Sequence, residues 1–294
     1  MLKKSIALIL SAILSVAALA ACSSGQTAAS SGTAAGVTTE AAGAAAGTVT
    51  TDSTAASDSS STGEKLVVGL DDAFPPMGFR DEDGNLTGFD VEMAQAVGAR
   101  LGMEVVLQPI NWNNKEMELA NGNVDVLWNG LTITDARKES MLLSEPYLAN
   151  AQIILVKADS DITTKDDLQG ATICYQSGSS AQEAFEGDSL KDIVGSVVES
   201  DDNVKAMEEL DLGRIDAVIL DKVVAEYYMN LDNKKGKFRM LDDELAAEEY
   251  GIAFKKGNQE LYDKVMGAFK ELVADGTAAS ISEKWFGEDR VILK

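Results

Sequence analysis

One stretch of the sequence brings a guanidinium close to several small hydrogen-bonding groups. The apolar run Val124–Trp128 is followed by Asn129, Gly130 and Thr132, and Arg137 lies in the first turn of the helix expected beyond them. A fixed guanidinium beside free backbone N–H groups suits a carboxylate, because it donates two parallel charge-assisted hydrogen bonds. The stretch therefore predicts a carboxylate-binding site at the end of a buried strand.

A second stretch repeats this pattern with the opposite charge. The segment GRIDAVILD at 213–221 matches GNVDVLWNG at 122–130 at an offset of 91 positions, and its final polar residue is Asp221. In both segments a glycine should stop a helix that leads into a buried strand. Ligands of open α/β sheets bind beyond the carboxyl ends of the strands. Arg137 and Asp221, facing each other between two such lobes, would bind a zwitterion.

Both charged residues also have simpler interpretations. Arg137 could pair with Glu139 or Glu145 on a solvated helix surface, and Asp221 could cap the helix expected at Lys222. Arginines on helix surfaces commonly form such pairs, and an N-terminal aspartate commonly caps. The structure must therefore show which groups these side chains contact.

The elements that position these residues alternate between strand and helix across residues 64–294. Asp90 is the expected N-cap of the first helix and Gly102 its stop. The predicted strands are residues 65–70, 103–110, 124–128, 151–157, 171–176, 195–200 and 214–220. This alternation predicts an α/β fold with parallel, doubly wound sheets.

The amino-terminal region has the features of a targeting sequence. Residues 1–21 contain two lysines and an apolar segment typical of a signal peptide, and residues 19–22 read Leu-Ala-Ala-Cys, which matches the bacterial lipobox. Cys22 is thus the expected lipidation site, although a plain signal peptide is the alternative. Residues 22–63 continue as a Ser, Thr, Ala and Gly tether, which lacks the apolar residues needed to form a core.

Composition excludes several classes of function. Removal of residues 1–21 would leave 23 basic and 48 acidic side chains, a formal charge of −25, which disfavours nucleic acid as a partner. The sequence contains no histidine, so histidine-dependent nucleophilic sites and the usual zinc sites are excluded. Cys174 is expected to be an unreactive core thiol. We expect no metal and no cofactor.

Five stretches in register carry a resemblance to a known family. The chain resembles the family-3 extracellular solute-binding proteins, the amino-acid receptors of ABC importers. The similar stretches are LVVGLDDAFPPMGFRDEDGNLTGFDVEMAQAVGARLG (66–102), NGNVDVLWNGLTITDARKESMLLSEPYL (121–148), DLQGATICYQSGSSAQE (167–183), GRIDAVILDKVVAEYY (213–228) and YGIAFKKGNQELYDKVMGAFKELVADGTAASISEKWFG (250–287).

The resemblance implies a periplasmic-binding-protein-like fold with two α/β lobes joined by two crossing strands around a ligand cleft. Lobe 1 would comprise residues 64–150 and 250–294, lobe 2 would comprise residues 151–249, and ANAQIILV and EYGIAF would be the crossings. The lobes would close on the ligand, and the closed form would be recognised by permease subunits in the membrane. The protein would be an extracytoplasmic monomer, held at the bacterial membrane by the lipid on Cys22.

The resemblance also implies roles for individual residues. Arg137 would bind the ligand α-carboxylate, and Asp221 and the carbonyl of Gly130 would accept from the α-ammonium group. Thr132, Ser179 and Ser180 would assist the carboxylate site. The implied side-chain pocket consists of Asp71, Phe74, Trp112 and Gln176, and Asn129, where small residues are frequent in the family, could reach the ligand side chain. Phe74 and Trp112 could instead be core residues.

The predicted function is capture and delivery of a free amino acid without catalysis. Asp71, together with Trp112 and Phe74, would favour a polar or basic side chain, with cystine as an alternative ligand. No basic residue is evident in the side-chain pocket to accept an acidic ligand. A sensor with the same ligand, or a dehydratase-like enzyme that uses a carboxylic acid of raised pKa, are the alternative functions.

Overall fold

The computed structural model describes residues 63–294. The predicted signal peptide, Cys22 and all but the last residue of the predicted tether lie outside the described residues. Within residues 63–294, no helix is both long and apolar enough to cross a membrane.

The described chain folds into twelve strands and eight α-helices, with three short 3₁₀ turns between them. The strands are β1 Lys65–Leu70, β2 Ala73–Phe74, β3 Gly78–Arg80, β4 Leu86–Thr87, β5 Glu104–Pro109, β6 Val126–Thr132, β7 Met141–Leu143, β8 Leu148–Lys157, β9 Thr172–Gln176, β10 Ser196–Ser200, β11 Ala217–Asp221 and β12 Phe238–Lys255. The helices are α1 Phe89–Leu101, α2 Lys115–Asn121, α3 Asp135–Ser140, α4 Ser180–Gly187, α5 Asn203–Asp211, α6 Lys222–Asn230, α7 Gln259–Ala274 and α8 Thr277–Phe286.

The main sheet has the strand order β10-β9-β11-β8-β12-β6-β1-β5. Strands β5, β1 and β6 are parallel at one end, and β10, β9 and β11 are parallel at the other. We call the first group, with α1, α2, α7 and α8, the first lobe, and the second group, with α4, α5 and α6, the second lobe. The predicted α/β fold with two lobes is confirmed.

The long strands β8 and β12 join the two lobes at the centre of the sheet. They pair with each other in antiparallel register, β8 also pairs with β11, and β12 also pairs with β6. The register of β12 is irregular between Met240 and Ala246 and again between Gly251 and Ala253, whereas the pairs from Ala246 to Tyr250 are consecutive. The crossing segment is thus bounded by two irregularities.

Two local predictions need correction. The strand expected at 124–128 is Val126–Thr132, because Leu131 and Thr132 pair with Gly251 and Tyr250 of β12 and so extend it. Asn129, Gly130 and Thr132 therefore lie within a buried strand and not beyond its end.

Asp90 is not the N-cap of α1. Gly88 occupies that position, and the Asp90 side chain is fully buried in the first lobe. Cys174 is buried in β9, which confirms the predicted core position, and burial raises the pKa of its thiol to about 12.

Candidate functional site

Arg137 lies at the boundary between the two lobes. Thr134 caps α3 by accepting a hydrogen bond from the Arg137 backbone N–H at 3.2 Å, which places the guanidinium in the first turn. The side chain is 3 % exposed, and it donates to the Thr132 carbonyl at 2.8 Å and to Glu183 of the second lobe at 2.9 Å. Within the described residues its Nε has no acceptor. The guanidinium keeps one buried donor free for a further anion.

Asp221 ends β11 and directs its carboxylate to the crossing strands. Its Oδ1 accepts from the Tyr250 hydroxyl at 2.6 Å, from Gln152 Nε2 at 2.8 Å and from Asn150 Nδ2 at 2.8 Å. Helix α6 does begin at Lys222, but the Asp221 side chain makes no capping hydrogen bond. The Asp221 side chain thus forms its hydrogen bonds with the crossing strands at the boundary between the lobes and does not cap α6.

Glu248 is a second acid at this position that the sequence analysis missed. It lies on β12, where it accepts from Gln152 Nε2 at 2.8 Å and from the Thr132 hydroxyl at 2.9 Å. The Gln152 amide therefore donates to both Glu248 and Asp221. Burial, and then repulsion by Glu248, raise the pKa of Asp221 well above its usual range. A cation placed between the two carboxylates would relieve this repulsion.

Gly130 requires the conformational freedom of glycine. Its φ is +59°, and a Cβ at this position would lie 2.7 Å from the Phe74 ring and 3.2 Å from the Tyr250 ring. Its N–H donates to Asp90 at 2.7 Å, and Asp90 also accepts from the Tyr147 hydroxyl at 2.8 Å. Burial raises the pKa of Asp90 to about 7. The hydrogen bond to Asp90 therefore fixes the position of the Gly130 backbone.

The residues implied for the side-chain pocket include a buried acid, Asp71. Asp71 follows β1, and its carboxylate accepts from Gln176 Nε2 of the second lobe at 2.5 Å and from the Ala73 N–H at 2.9 Å. Burial raises its pKa to about 6. Phe74 and Trp112 are both buried.

Lys115 is a buried basic residue beside Trp112 that the sequence analysis did not single out. Its side chain is 4 % exposed at the start of α2, where Nζ donates to the Gly178 carbonyl at 2.7 Å and lies 5.3 Å from the centre of the Trp112 ring. Burial, and then repulsion by Arg137, lower its pKa to about 8. Its three-residue spacing from Trp112 was the available signal, since residues so spaced share a helical face.

The remaining predicted residues differ in what they contact. Ser180 Oγ accepts from the Thr132 hydroxyl at 2.9 Å across the lobes, and Ser179 caps α4 and donates to the Gln176 carbonyl at 2.7 Å. The Asn129 side chain lies against Gly78, where a Cβ would meet its Oδ1 at 2.1 Å. A ligand contact by Asn129 stays a prediction.

The arrangement has the polarity expected of a zwitterion site. Arg137 provides a cation with a free Nε–H donor, and Asp221 and Glu248 provide two adjacent acidic side chains that form no ion pair within residues 63–294. Thr132 and Ser180 link the two ends by hydrogen bonds between the lobes. Within residues 63–294, no group of three or more histidine, cysteine, aspartate or glutamate residues is arranged to hold a metal ion.

Comparison with known proteins decides the family. Residues 66–288 match the bacterial extracellular solute-binding proteins, family 3. The chain belongs to this family. As a solute-binding protein it is 35 % identical to the L-cystine-binding protein TcyJ of Escherichia coli (strain K12), over 76 % of this chain and 83 % of that protein.

Two further similarities support the assignment. The solute-binding protein is 33 % identical to the arginine-binding extracellular protein ArtP of Bacillus subtilis (strain 168), over 78 % of this chain and 88 % of that protein. A crystal structure of an ABC uptake transporter substrate-binding protein from Streptococcus pneumoniae with bound histidine superposes with a TM-score of 0.75 at 36 % identity, over 78 % of this chain and 94 % of that chain.

Proposed function

We propose that this solute-binding protein captures a free amino acid by closure of its lobes and delivers it to the permease of an ABC importer. The observation that carries the proposal is that the structure offers both a guanidinium with a free buried Nε, from Arg137, and two adjacent carboxyl groups, from Asp221 and Glu248. An α-carboxylate fits the first group and an α-ammonium the second. The names of the relatives, which bind cystine and arginine, support the same class of ligand.

The side-chain pocket supports a polar or basic amino acid. Asp71 offers a carboxylate to a distal cation or amide, and the Trp112 ring already lies over a cation in the form of Lys115. The Phe74 ring lies beside Gly130. Glu183, which bonds Arg137 in this structure, would have to share the guanidinium with the ligand carboxylate.

Thermal unfolding tests the binding function. The full-length protein, purified in detergent and freed of carried-over ligand by unfolding and refolding, is screened against each common amino acid and cystine. A ligand that binds only the folded state stabilises it by about 4 kcal/mol at a thousandfold excess over Kd. We expect Arg137→Ala to abolish this stabilisation, and Arg214→Ala, an exposed helix-end arginine, to preserve it. Retained affinity in Arg137→Ala would contradict the proposed carboxylate site.

Delivery and anchorage need separate tests. Deletion of the gene should abolish cellular uptake of the radiolabelled ligand, and persistent uptake would favour a sensor. The proposed lipid on Cys22 predicts that the protein sediments with membranes and that Cys22→Ala releases it into the soluble fraction. Sedimentation of Cys22→Ala with membranes would contradict lipid anchorage.

A dehydratase-like activity is the second candidate, because the raised pKa values of Asp71 and Asp221 meet its need for a carboxylic acid. A prephenate-like substrate carries two carboxylates and no ammonium group, so it would meet Asp221 and Glu248 with like charge. Binding of an amino acid is therefore favoured. Release of CO₂ from prephenate by the purified protein would reverse this preference.

A further inference from the structure

The two lobes also meet at a second place, through helix α6 of the second lobe. Arg290 Nη1 donates to Glu226 Oε2 of α6 at 2.7 Å, and the Tyr227 ring of α6 lies 5.6 Å from the Phe79 ring of β3. The Phe79 ring also meets the Trp285 ring of α8 edge-on, with 5.8 Å between the ring centres. We call these five residues the clasp.

The first-lobe members of the clasp are fixed within their own lobe. Strand β3 packs against α1, and Trp285 belongs to α8. The Arg290 N–H donates to Ser282 Oγ of α8 at 2.8 Å, and the Ile292 N–H donates to the Tyr147 carbonyl just before β8 begins. The contacts that α6 makes with these residues therefore bridge the two lobes.

The clasp shares no residue with the predicted ligand site. Glu226, Tyr227, Trp285 and Arg290 line a cavity of about 100 Å³ between the lobes, and none of the predicted ligand-binding residues is among the residues that line it. The Glu226 and Arg290 side chains are each 29 % exposed, so their ion pair is only partly screened by water. The clasp is thus a partly buried contact between the lobes that a ligand in the predicted site need not disturb.

The polar contacts between the lobes at the predicted ligand site differ in this respect. Each uses a residue that is predicted to bind the ligand: Arg137 with Glu183, Asp71 with Gln176, and Thr132 with Ser180. A ligand that takes these groups replaces such contacts with its own. The clasp, in contrast, stabilises the closed arrangement whether or not a ligand is present.

We propose that the clasp sets the balance between the open and closed forms of the empty protein, and through it the affinity for the amino acid, without touching the ligand. The inference rests on the proposed function, because it assumes capture by lobe closure. An apparent Kd equals the intrinsic Kd divided by the fraction of the protein in the binding-competent form. Contacts that favour closure without ligand raise this fraction and so lower the apparent Kd.

A clasp variant and a matched control test this role in the full-length protein. The clasp variant combines Glu226→Gln with Tyr227→Ala and so removes both contacts of α6. The control combines Glu209→Gln, which breaks an ion pair within the second lobe, with Tyr262→Ala, which breaks an aromatic contact within the first lobe. Thermal unfolding of both variants establishes that they are folded.

Isothermal titration calorimetry measures the affinity. The titrants are L-cystine, L-arginine and any other amino acid that stabilises the wild type in the thermal screen. We expect the clasp variant to bind about threefold to thirtyfold more weakly than the wild type, as the loss of an aromatic pair and an ion pair predicts, and the control to bind as the wild type does. Tyr227→Phe keeps the ring and should keep the wild-type affinity.

The distance between the lobes provides a readout that needs no ligand. Spin labels on Lys191→Cys in the second lobe and Glu260→Cys in the first lobe report this distance by double electron–electron resonance, and a sample without the two new cysteines shows any labelling of Cys22 or Cys174. In the empty state we expect longer and broader distances in the clasp variant than in the wild type and the control. A saturating amino acid should restore the wild-type distances.

The outcomes separate this inference from the proposed function. Unchanged distances in the empty clasp variant, a change equal to that of the control, or altered distances with unaltered affinity would each overturn the inference and leave amino-acid capture intact. A wild type that binds no amino acid would overturn the proposed function, and the distances in the empty protein would still show whether the clasp favours closure. Phe79→Ala replaces Tyr227→Ala if that variant fails to fold.

Discussion

The first lobe and the boundary between the lobes each contain a buried aspartate that accepts a hydrogen bond from a tyrosine hydroxyl. Asp90 accepts from Tyr147 at 2.8 Å, and Asp221 accepts from Tyr250 at 2.6 Å. Each also accepts from an amide, the backbone of Gly130 in one case and Gln152 in the other. The local hydrogen bonding of the two carboxylates is thus nearly the same.

The difference lies in what stands next to them. Asp221 shares the Gln152 amide with the carboxylate of Glu248, whereas all the donors to Asp90 are neutral and it has no acidic neighbour that perturbs it. An aspartate whose neighbours are only donors stabilises the fold. An aspartate that lies beside a second acid is expected to bind a cation, because the cation relieves the repulsion between the two carboxylates. The comparison predicts that the surrounding charge, more than burial or hydrogen bonding, distinguishes a structural acid from a ligand-binding acid.

The largest expected effect is the loss of ligand binding in Asp221→Asn. Removing one partner of a buried charge pair costs about 2–5 kcal/mol, or at least about thirtyfold in affinity. The melting temperature of the empty protein should stay the same or rise, because repulsion with Glu248 disappears. Calorimetric titration and thermal unfolding measure the two quantities. Full affinity in Asp221→Asn would remove the distinction between the two aspartates.

Asp90→Ala should show the opposite combination at a smaller size. The substitution leaves the Gly130 N–H and the Tyr147 hydroxyl buried without an acceptor, which costs about 1–3 kcal/mol of stability. Chemical denaturation measures this change, and Asp232→Ala, at an exposed site, is the control. Ligand affinity should fall much less than in Asp221→Asn. A stability equal to that of the control would show that Asp90 does not support the fold.

A further expected effect is a dependence of stability on pH. The folded pKa of Asp90 is about 7 and that of Asp71 about 6, both above the value near 3.8 of an unperturbed aspartate, so the folded state binds more protons between these values. Their contribution to stability is therefore fully present below about pH 4 and is lost as the pH rises through 6 and 7. We therefore expect the loss of this contribution to lower the melting temperature of the empty protein as the pH rises from 5 to 8, which thermal unfolding at a series of pH values measures.

Ligand binding sharpens the same measurement. An ammonium group beside Asp221 favours its charged form, so binding near neutral pH should release protons. Calorimetry in buffers of different ionisation enthalpy detects this release, and Asp221→Asn should reduce it. Proton release that is identical in wild type and Asp221→Asn would assign the titration to another group.

The sequence allowed Arg137 and Asp221 to be selected because both follow a strand pattern that local periodicity reveals. Asp90 was predicted to be the N-cap of α1 because an aspartate at the start of a helix is a common capping signal. In the structure its carboxylate instead accepts from Gly130 and Tyr147, which are distant in the sequence. The parallel strands of each lobe followed from the alternation of elements. The antiparallel crossings were expected only from the family resemblance.

Glu248 and Lys115 could not be placed from local sequence. Glu248 contacts Gln152 and Thr132 because it pairs opposite Asn150. A shift of one residue in the register would turn Glu248 to the other face of the sheet and put Glu249 in its place. Lys115 donates to the carbonyl of Gly178, which is 63 positions later in the chain and lies in the second lobe. Charge patterns along the chain carry no information about such contacts between lobes.

The uninterrupted pairing between the two irregular points of β12 has a mechanical consequence. The regular pairing from Ala246 to Tyr250 holds Glu248 in fixed register with Asn150. The irregular parts of β12 on either side of this segment have a disrupted hydrogen-bond ladder, which resists bending less. We therefore expect bending of β12 to occur at the two ends of this regular segment. If the lobes close on a ligand as proposed, Glu248 should keep its position opposite Asn150 while the two lobes move.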